Sequence, residues 1–169
     1  VSLVRGEDRR KNVAEALALV EDQVLPVLRQ KKYVVIKPNL VSTIQQLATT
    51  HTDAIHGVLD FLGPRFKGPV VIAESSAGNT GNAYEQFGYG KVPLEHKERE
   101  VSLVDLNDEG RYETLEILDD NLHLQPVRLA ARLIDPDAYV ICAPAMKTPN
   151  AVVATLSVKN MTLGAPLRS

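Results

Sequence analysis

The sequence contains a single cysteine, Cys142, among its 169 residues. One thiol excludes an internal disulfide. It also excludes an iron–sulfur cluster or a multi-cysteine zinc site held by this chain alone, because those centres need several thiolates. A chain so poor in cysteine is typical of a reducing compartment. Because Cys142 ends an apolar run at 138–142, we expect it to serve as a small core side chain.

Long apolar runs and clusters of basic residues are also missing. No stretch approaches the roughly 18 apolar residues that span a bilayer. Lys and Arg are spread along a chain of formal net charge -2, so the basic surface that nucleic acids or anionic membranes require is absent. Residues 1–4 form a short apolar run followed at once by charges, unlike a signal peptide. We therefore expect a cytoplasmic protein that binds neither nucleic acids nor membranes.

The composition is that of an ordinary globular protein. The hydrophobic fraction is 44% and the charged fraction 24%, and the length suits about one domain. We expect residues 1–169 to form a single α/β domain. The chain begins without Met and ends soon after a motif-rich stretch, so we also expect processing or truncation at the C-terminus.

The pattern of apolar residues predicts alternating strands and helices. Apolar runs at 33–36, 69–73, 101–104 and 138–142 are too short for helices and suit strands buried on both faces. Between the runs, apolar residues recur at helical spacing. This pattern indicates an α/β fold with a mostly parallel sheet and helices packed on it, layered and Rossmann-like, with some short antiparallel strands.

Several local boundaries follow from the same pattern. Asn12 is predicted to cap a first helix that Pro26 kinks or ends, and Thr52 or Asp53 to cap the next helix. Gly63-Pro64 is predicted to end that second helix. A short helix is expected near 83–87, and one or two short antiparallel strands within 107–126. Residues 1–4 are predicted to form a short strand, and residues 151–163 favour a helix that Gly164 ends.

Short clusters of polar residues follow the four predicted strands. They occupy positions 37–39, 74–76, 105 and 147–150. The carboxyl ends of parallel strands line one edge of an open sheet, where ligands bind. We therefore expect the clusters to meet at that edge and form a binding site.

The residue types in these clusters suit a small anionic ligand that carries a phosphate or carboxylate group. The residues predicted to bind it are Lys37, Asn39, Ser75, Ser76, Asn79, Thr80, Lys147, Lys159 and Asn160. The backbone of the loop at 74–82 would contribute donors, especially if it leads into a helix. Glu74 and Asp105 are the candidate catalytic residues, because a carboxylate accepts protons or binds a hard divalent cation.

Each of these features also has a purely structural interpretation. Lys37 precedes Pro38, and a Lys37 side chain that points to water is equally consistent with this position. Glu74 equally fits a helix cap or an ion pair with a lysine. The loop at 75–82 has the composition of a plain turn, and it lacks both the P-loop ending and the dinucleotide-binding spacing.

The histidines indicate no metal site. We expect His51 to take an exposed capping position at a helix start and His96 and His123 to lie at the surface. Without a His-x-x-x-His or His-Glu-x-x-His motif, a zinc hydrolase is not predicted.

Six stretches taken in order resemble the family catalogued as domain of unknown function 362. They lie at 35–41, 50–54, 72–76, 87–89, 104–107 and 155–161. The resemblance runs over nearly the whole chain and implies a prokaryotic protein. Many members are described as iron–sulfur or ferredoxin-like because they carry a further cysteine-rich module, which this chain lacks. A later Lys-Thr-His motif of the family is represented here by Lys147-Thr148-Pro149, without the histidine.

Three hypotheses about function follow. The first is an anion-binding site for a small molecule, with or without catalysis. The second is a redox-associated or scaffold domain that works with an iron–sulfur protein partner or a missing segment. The third is a structural or binding domain in which the polar clusters are caps and turns. The sequence identifies no cofactor, and it leaves the substrate, the reaction and the oligomeric state open.

Overall fold

The computed structural model describes residues 1–148 and 156–168. Six helices and six strands occupy these ranges, with short 3-10 turns between them. The helices are α1 (Arg9–Ala18), α2 (Glu21–Leu28), α3 (Thr52–Leu62), α4 (Thr80–Gln86), α5 (Val92–Glu95) and α6 (Ser157–Thr162). The strands are β1 (Tyr33–Lys37), β2 (Val70–Glu74), β3 (Val101–Asp105), β4 (Tyr112–Leu118), β5 (Leu124–Ala130) and β6 (Ala138–Cys142). None of the described helices has the length and apolar character needed to cross a membrane.

The main sheet contains four parallel strands in the order β3-β2-β1-β6. At its centre, Val35 of β1 pairs with Val71 of β2 and Val140 of β6. These strands are the four apolar runs of the sequence, so the predicted α/β fold with a mostly parallel sheet is confirmed. Because all four run in one direction, the polar clusters that follow them lie at one edge, except that residues 149–150 of the last cluster lie outside the described residues.

Both faces of the sheet are covered, which explains why its strands are continuously apolar. Val34 and Ile36 pack on one face among apolar side chains of α3 and α4. Val35, between them, points to the opposite face and packs with Ala130 and Leu133. Each such side chain contributes about 1.5–3 kcal/mol on burial.

The helices on the first face begin at caps other than those predicted. Asp8, not Asn12, caps α1 by accepting a hydrogen bond from the Lys11 amide at 3.0 Å. Asn12 instead donates to the Gly6 carbonyl oxygen at 2.9 Å. α3 is capped by His51, whose Nδ1 accepts from the Asp53 amide at 3.1 Å. The predicted caps at Asn12, Thr52 and Asp53 are therefore wrong, whereas the capping position of His51 is confirmed.

The N-terminal third differs from the sequence prediction in two further places. Residues 1–6 form no regular structure, so the strand predicted at 1–4 is wrong; Val1 and Leu3 are exposed. The first predicted helix is divided into α1 and α2 at residues 19–20, before Pro26. Pro26 lies inside α2, which ends soon afterwards at Leu28.

An antiparallel hairpin of β4 and β5 stands apart from the main sheet. It confirms the antiparallel pairing expected within 107–126, although β5 continues to Ala130. At the C-terminal end, α6 confirms the helical preference for residues 157–162, and Gly164 follows it. The earlier part of that prediction, at 151–155, lies outside the described residues.

Candidate binding site at the carboxyl edge of the sheet

Lys37 and Glu74 end neighbouring strands and form a buried ion pair. Lys37 Nζ donates to Glu74 Oε1 at 2.6 Å. The residues are 0% and 2% exposed, so water does not reach the pair. Of the alternatives that the sequence left open, the solvent-facing Lys37 is wrong and the lysine ion pair of Glu74 is confirmed.

Backbone amides complete the coordination of the Glu74 carboxylate. Ser75 N donates to Oε1 at 2.8 Å and Leu40 N donates to Oε2 at 3.0 Å. Both oxygens are thus engaged, and the negative charge is compensated where it is buried. In this arrangement Glu74 fixes the backbone after β1 and after β2 at the same time.

Asn160, on α6, links this ion pair to the rest of the edge. Its Oδ1 accepts from Lys37 Nζ at 3.2 Å and from Asn39 Nδ2 at 2.9 Å. Its Nδ2 donates to the Pro38 carbonyl oxygen at 2.9 Å and lies 3.3 Å from Cys142 Sγ. Asn160 is 2% exposed, so these contacts dock α6 onto the ends of β1 and β6.

Lys147 extends the same network from the loop after β6. Its Nζ donates to Asn39 Oδ1 and to the Ala48 carbonyl oxygen. Burial lowers the pKa of Lys147, the neighbouring charge of Lys159 lowers it further, and Glu74 acts in the opposite direction. We refer to Glu74, Lys37, Asn160, Asn39 and Lys147, joined in that order, as the edge network.

A cleft of about 250 Å³ lies beside the edge network. The loop after β2 forms one wall, and α6 with the residues after it forms the other. Ser75 ties the walls together, because its Oγ donates to the Gly164 carbonyl oxygen at 2.5 Å. Gly164 is required here, since a Cβ at this position would lie 3.1 Å from Lys37 Nζ and still closer to the Asn160 carbonyl oxygen.

Ser76 is the unusual member of the cleft wall. It is 3% exposed, and its Oγ has no hydrogen-bond partner among the described residues. A buried hydroxyl without a partner costs about 1–3 kcal/mol. Such a group in the wall of a cleft marks a place where a ligand or water atom would be stabilised.

Two cationic side chains line this cleft, Lys159 on α6 and Arg168 beyond it. Among the described residues that line the cleft, Glu74 is the only acidic one, and its charge is balanced by Lys37. Sequence reasoning found Lys159 but missed Arg168. Arg168 lies more than 20 residues beyond β6, and the fold brings it back to the cleft. Its backbone amide donates to Asn107 Oδ1 at 3.0 Å.

Besides Lys37 and Lys147, three further residues predicted for the site lie at the same edge but do not line the cleft. Asp105 pairs in register with Glu74, and its Oδ1 accepts from Asn107 N at 2.9 Å, forming a turn. Asn79 caps α4 by accepting from Asn82 N at 2.8 Å. The buried Thr80 Oγ1 accepts from Ser76 N at 3.2 Å. These contacts hold the loop after β2 in place.

A second cleft, of about 420 Å³, lies on the other side of Asn39. We call it the Lys147 cleft, because Lys147 lines it together with Val41, Thr148 and Lys159. Asn39, Val41 and Lys159 line both clefts, so the two are neighbours. The Lys159 side chain therefore places positive charge between them.

A pair of histidines lies away from this edge. His56 Nδ1 and His96 Nε2 are 2.9 Å apart, and both residues are buried. The predicted surface position of His96 is therefore wrong. Its charged neighbours in the sequence suggested exposure, but α3 covers its side chain. Within 1–148 and 156–168, no group of three or more His, Cys, Asp or Glu side chains is arranged to hold a metal ion.

Comparison with known proteins identifies the family. The family model described as Domain of unknown function (DUF362) matches residues 34–169. Because the match covers most of the chain, the protein belongs to this family, and the resemblance seen in the sequence is confirmed. No curated protein and no solved structure matches the chain.

Proposed function

We propose that this member of the DUF362 family binds a small molecule carrying a phosphate or carboxylate group in the cleft between the loop after β2 and α6. The observation that carries the proposal is the charge balance of the lining. Lys37 neutralises Glu74 at 2.6 Å, and Lys159 and Arg168 of the wall form no ion pair with any of the described residues. A partly enclosed cleft of one sign favours a ligand of the other sign.

The unpartnered Ser76 hydroxyl supports the same conclusion independently. An anionic oxygen in the cleft would accept its hydrogen bond and satisfy a buried donor. Hydrogen bonds to ionised acceptors are roughly twice as strong as neutral ones. Lys159 and Arg168 would then bind the anion from one wall and Ser76 from the other.

The edge network has a supporting role in this proposal. Lys37 and Glu74 are already saturated by each other, by Asn160 and by two backbone amides. We assign them to positioning the loop after β2 and α6 around the ligand. Asp105, which is engaged in its own turn, borders the site on the β3 side.

Isothermal titration of the purified chain with inorganic phosphate, at low ionic strength, tests the proposal. We expect saturable binding that Lys159→Ala weakens by about tenfold, as expected for the loss of one charge-assisted hydrogen bond. Lys97→Ala is the matched control, because Lys97 is an exposed lysine away from the cleft. Equal weakening by both substitutions would show nonspecific attraction and would refute a built site.

The redox alternative makes a different prediction in the same experiment. The chain has one cysteine, so an iron–sulfur cluster in such a role would be held by a partner protein or by a missing segment. That role does not require phosphate to bind at Lys159. Absence of any saturable binding, by phosphate or by carboxylates such as citrate, would favour it over the proposed function.

A further inference from the structure

Two lysines of the edge network have opposite surroundings. Lys37 Nζ donates to the Glu74 carboxylate at 2.6 Å, a partner of opposite charge. Lys147 Nζ donates to an amide oxygen and a carbonyl oxygen, both neutral. Among the described residues no carboxylate lies within ion-pair distance of Lys147, and the nearby charge of Lys159 opposes protonation.

The contacts of Lys147 also leave room for chemistry at its nitrogen. Besides its bond to carbon, an amine nitrogen has three directions for N–H bonds or a lone pair. In two of these directions Asn39 Oδ1 and the Ala48 carbonyl oxygen accept hydrogen bonds from Lys147. In the neutral amine both N–H donors are then engaged, so the lone pair takes the third direction. Lys147 lines a cleft of about 420 Å³, which has room for a small reacting molecule beside this side chain.

Half-burial and a neighbouring cation are the two features that make a lysine amine nucleophilic in proteins. Burial lowers the pKa of Lys147, and Lys159 adds to that effect. The same Lys159 side chain lines the adjoining anion cleft. A molecule bound to Lys159 by its anionic group would therefore reach the Lys147 cleft with its other end.

We propose that Lys147 forms an imine with the carbonyl group of an anionic carbonyl compound, such as a 2-oxo acid or a phosphorylated aldehyde, whose anionic group Lys159 binds. This inference rests on the proposed function, since it uses the same lysine to hold the anion. The nitrogen lone pair forms a bond to the carbonyl carbon, and the resulting carbinolamine loses water. The two amine protons leave with the carbonyl oxygen, and no electrons are gained or lost.

Reductive trapping tests this inference on the unmodified chain. The protein is incubated with pyruvate and cyanoborohydride, which reduces an imine to a stable secondary amine, and the adduct is located by peptide mass spectrometry. We expect Lys147 to be labelled at least about tenfold faster than the exposed Lys97, because a lowered pKa supplies more free amine. Equal labelling of the two would overturn the inference, and this comparison needs no variant.

Two further comparisons separate this inference from the proposed function. With pyruvate, Lys159→Ala should slow the labelling of Lys147 by about tenfold. With acetaldehyde, which carries no anion, the same substitution should slow the labelling much less, because only the effect of Lys159 on the pKa of Lys147 is then lost. Phosphate binding without selective labelling of Lys147 would overturn the imine and leave anion binding intact. Selective labelling that Lys159→Ala slows equally with both compounds would support the nucleophile and overturn the anion site.

Discussion

Lys37 and Glu74 form an ion pair that is closed to water, with 2.6 Å between Nζ and Oε1. Lys32 and Asp137 form a pair of the same length, 2.6 Å, at the surface. The side chain of Lys37 is 0% exposed and that of Lys32 is 76% exposed. The molecule thus offers two ion pairs of equal length in opposite surroundings.

Removal of one partner should therefore have very different effects on the two pairs. Lys37→Met leaves a buried carboxylate without its countercharge, and we expect it to lower the free energy of unfolding by about 3–5 kcal/mol. Lys32→Met should cost far less than Lys37→Met, because water screens the surface pair. Urea denaturation followed by circular dichroism measures both. Similar losses would mean that the Lys37–Glu74 pair is not buried as described.

Loss of the hydroxyl should change the stability of the protein differently at the adjacent serines Ser75 and Ser76. Ser75→Ala removes the 2.5 Å hydrogen bond to the Gly164 carbonyl oxygen and should destabilise the protein by about 1 kcal/mol. Ser76→Ala removes a buried hydroxyl that has no partner in the described part of the chain, so it should be neutral or stabilise by up to about 1 kcal/mol. Thermal denaturation distinguishes the two. We also expect Ser76→Ala to weaken phosphate binding. A Ser76→Ala variant that is destabilised but binds phosphate normally would argue against an unpartnered hydroxyl at this position.

Asn160 should be hard to replace even by a residue of similar size. Asn160→Leu removes the acceptor for Lys37 and Asn39 and the donor to the Pro38 carbonyl oxygen. Each buried group left unpaired costs about 1–3 kcal/mol, so we expect a loss of at least about 3 kcal/mol. Thr162→Val, in the same helix, is the control, because Thr162 is exposed and bonds only within its own turn. Urea midpoints that fall equally for both would contradict the docking of α6 through Asn160.

The buried pair of His56 and His96 should make stability depend on pH. Burial lowers the pKa of His56 below its ordinary value, although Glu95 opposes that shift. The unfolded chain then takes up a proton near pH 6.5 while the folded protein does not, so the free energy of unfolding should fall as pH drops below about 6.5. Above that pH His56 is neutral in both the folded and the unfolded state, so it no longer lowers the free energy of unfolding.

Denaturation between about pH 7.5 and 5.5 checks this sign. His56→Gln should flatten the pH dependence in that window, whereas His123→Gln should leave it unchanged, because His123 is exposed. An unchanged slope in His56→Gln would assign the pH dependence to other groups.

The parallel sheet and the meeting of polar clusters at one edge follow from the sequence because they depend on local patterns. Four short apolar runs define buried parallel strands, and parallel strands bring their carboxyl ends together. Lys37 and Glu74 end two of these strands, and Asn39 and Lys147 lie in the loops that follow β1 and β6. Their place at one edge was therefore predictable, whereas the strand order that makes β1 and β2 neighbours was not.

The contacts themselves were not predictable, because they depend on side-chain packing over long sequence separations. Nothing in the sequence distinguishes a solvated Lys37 from one paired with Glu74, 37 residues away. The return of Arg168 to the cleft through Asn107 has no local signal either. His96 lies between charged residues that predict exposure, and its burial arises from the packing of α3.

Amide chemical shifts during a titration with phosphate test the central claim most directly. If the cleft binds the anion, the amides of Ser75, Ser76, Ala77 and Lys159 should shift together and saturate with one affinity. Those near His56 and His96, away from this edge, should stay unchanged. Small shifts that do not saturate and are spread over the exposed lysines would contradict the account, because phosphate would then be attracted to surface charge and not to this cleft.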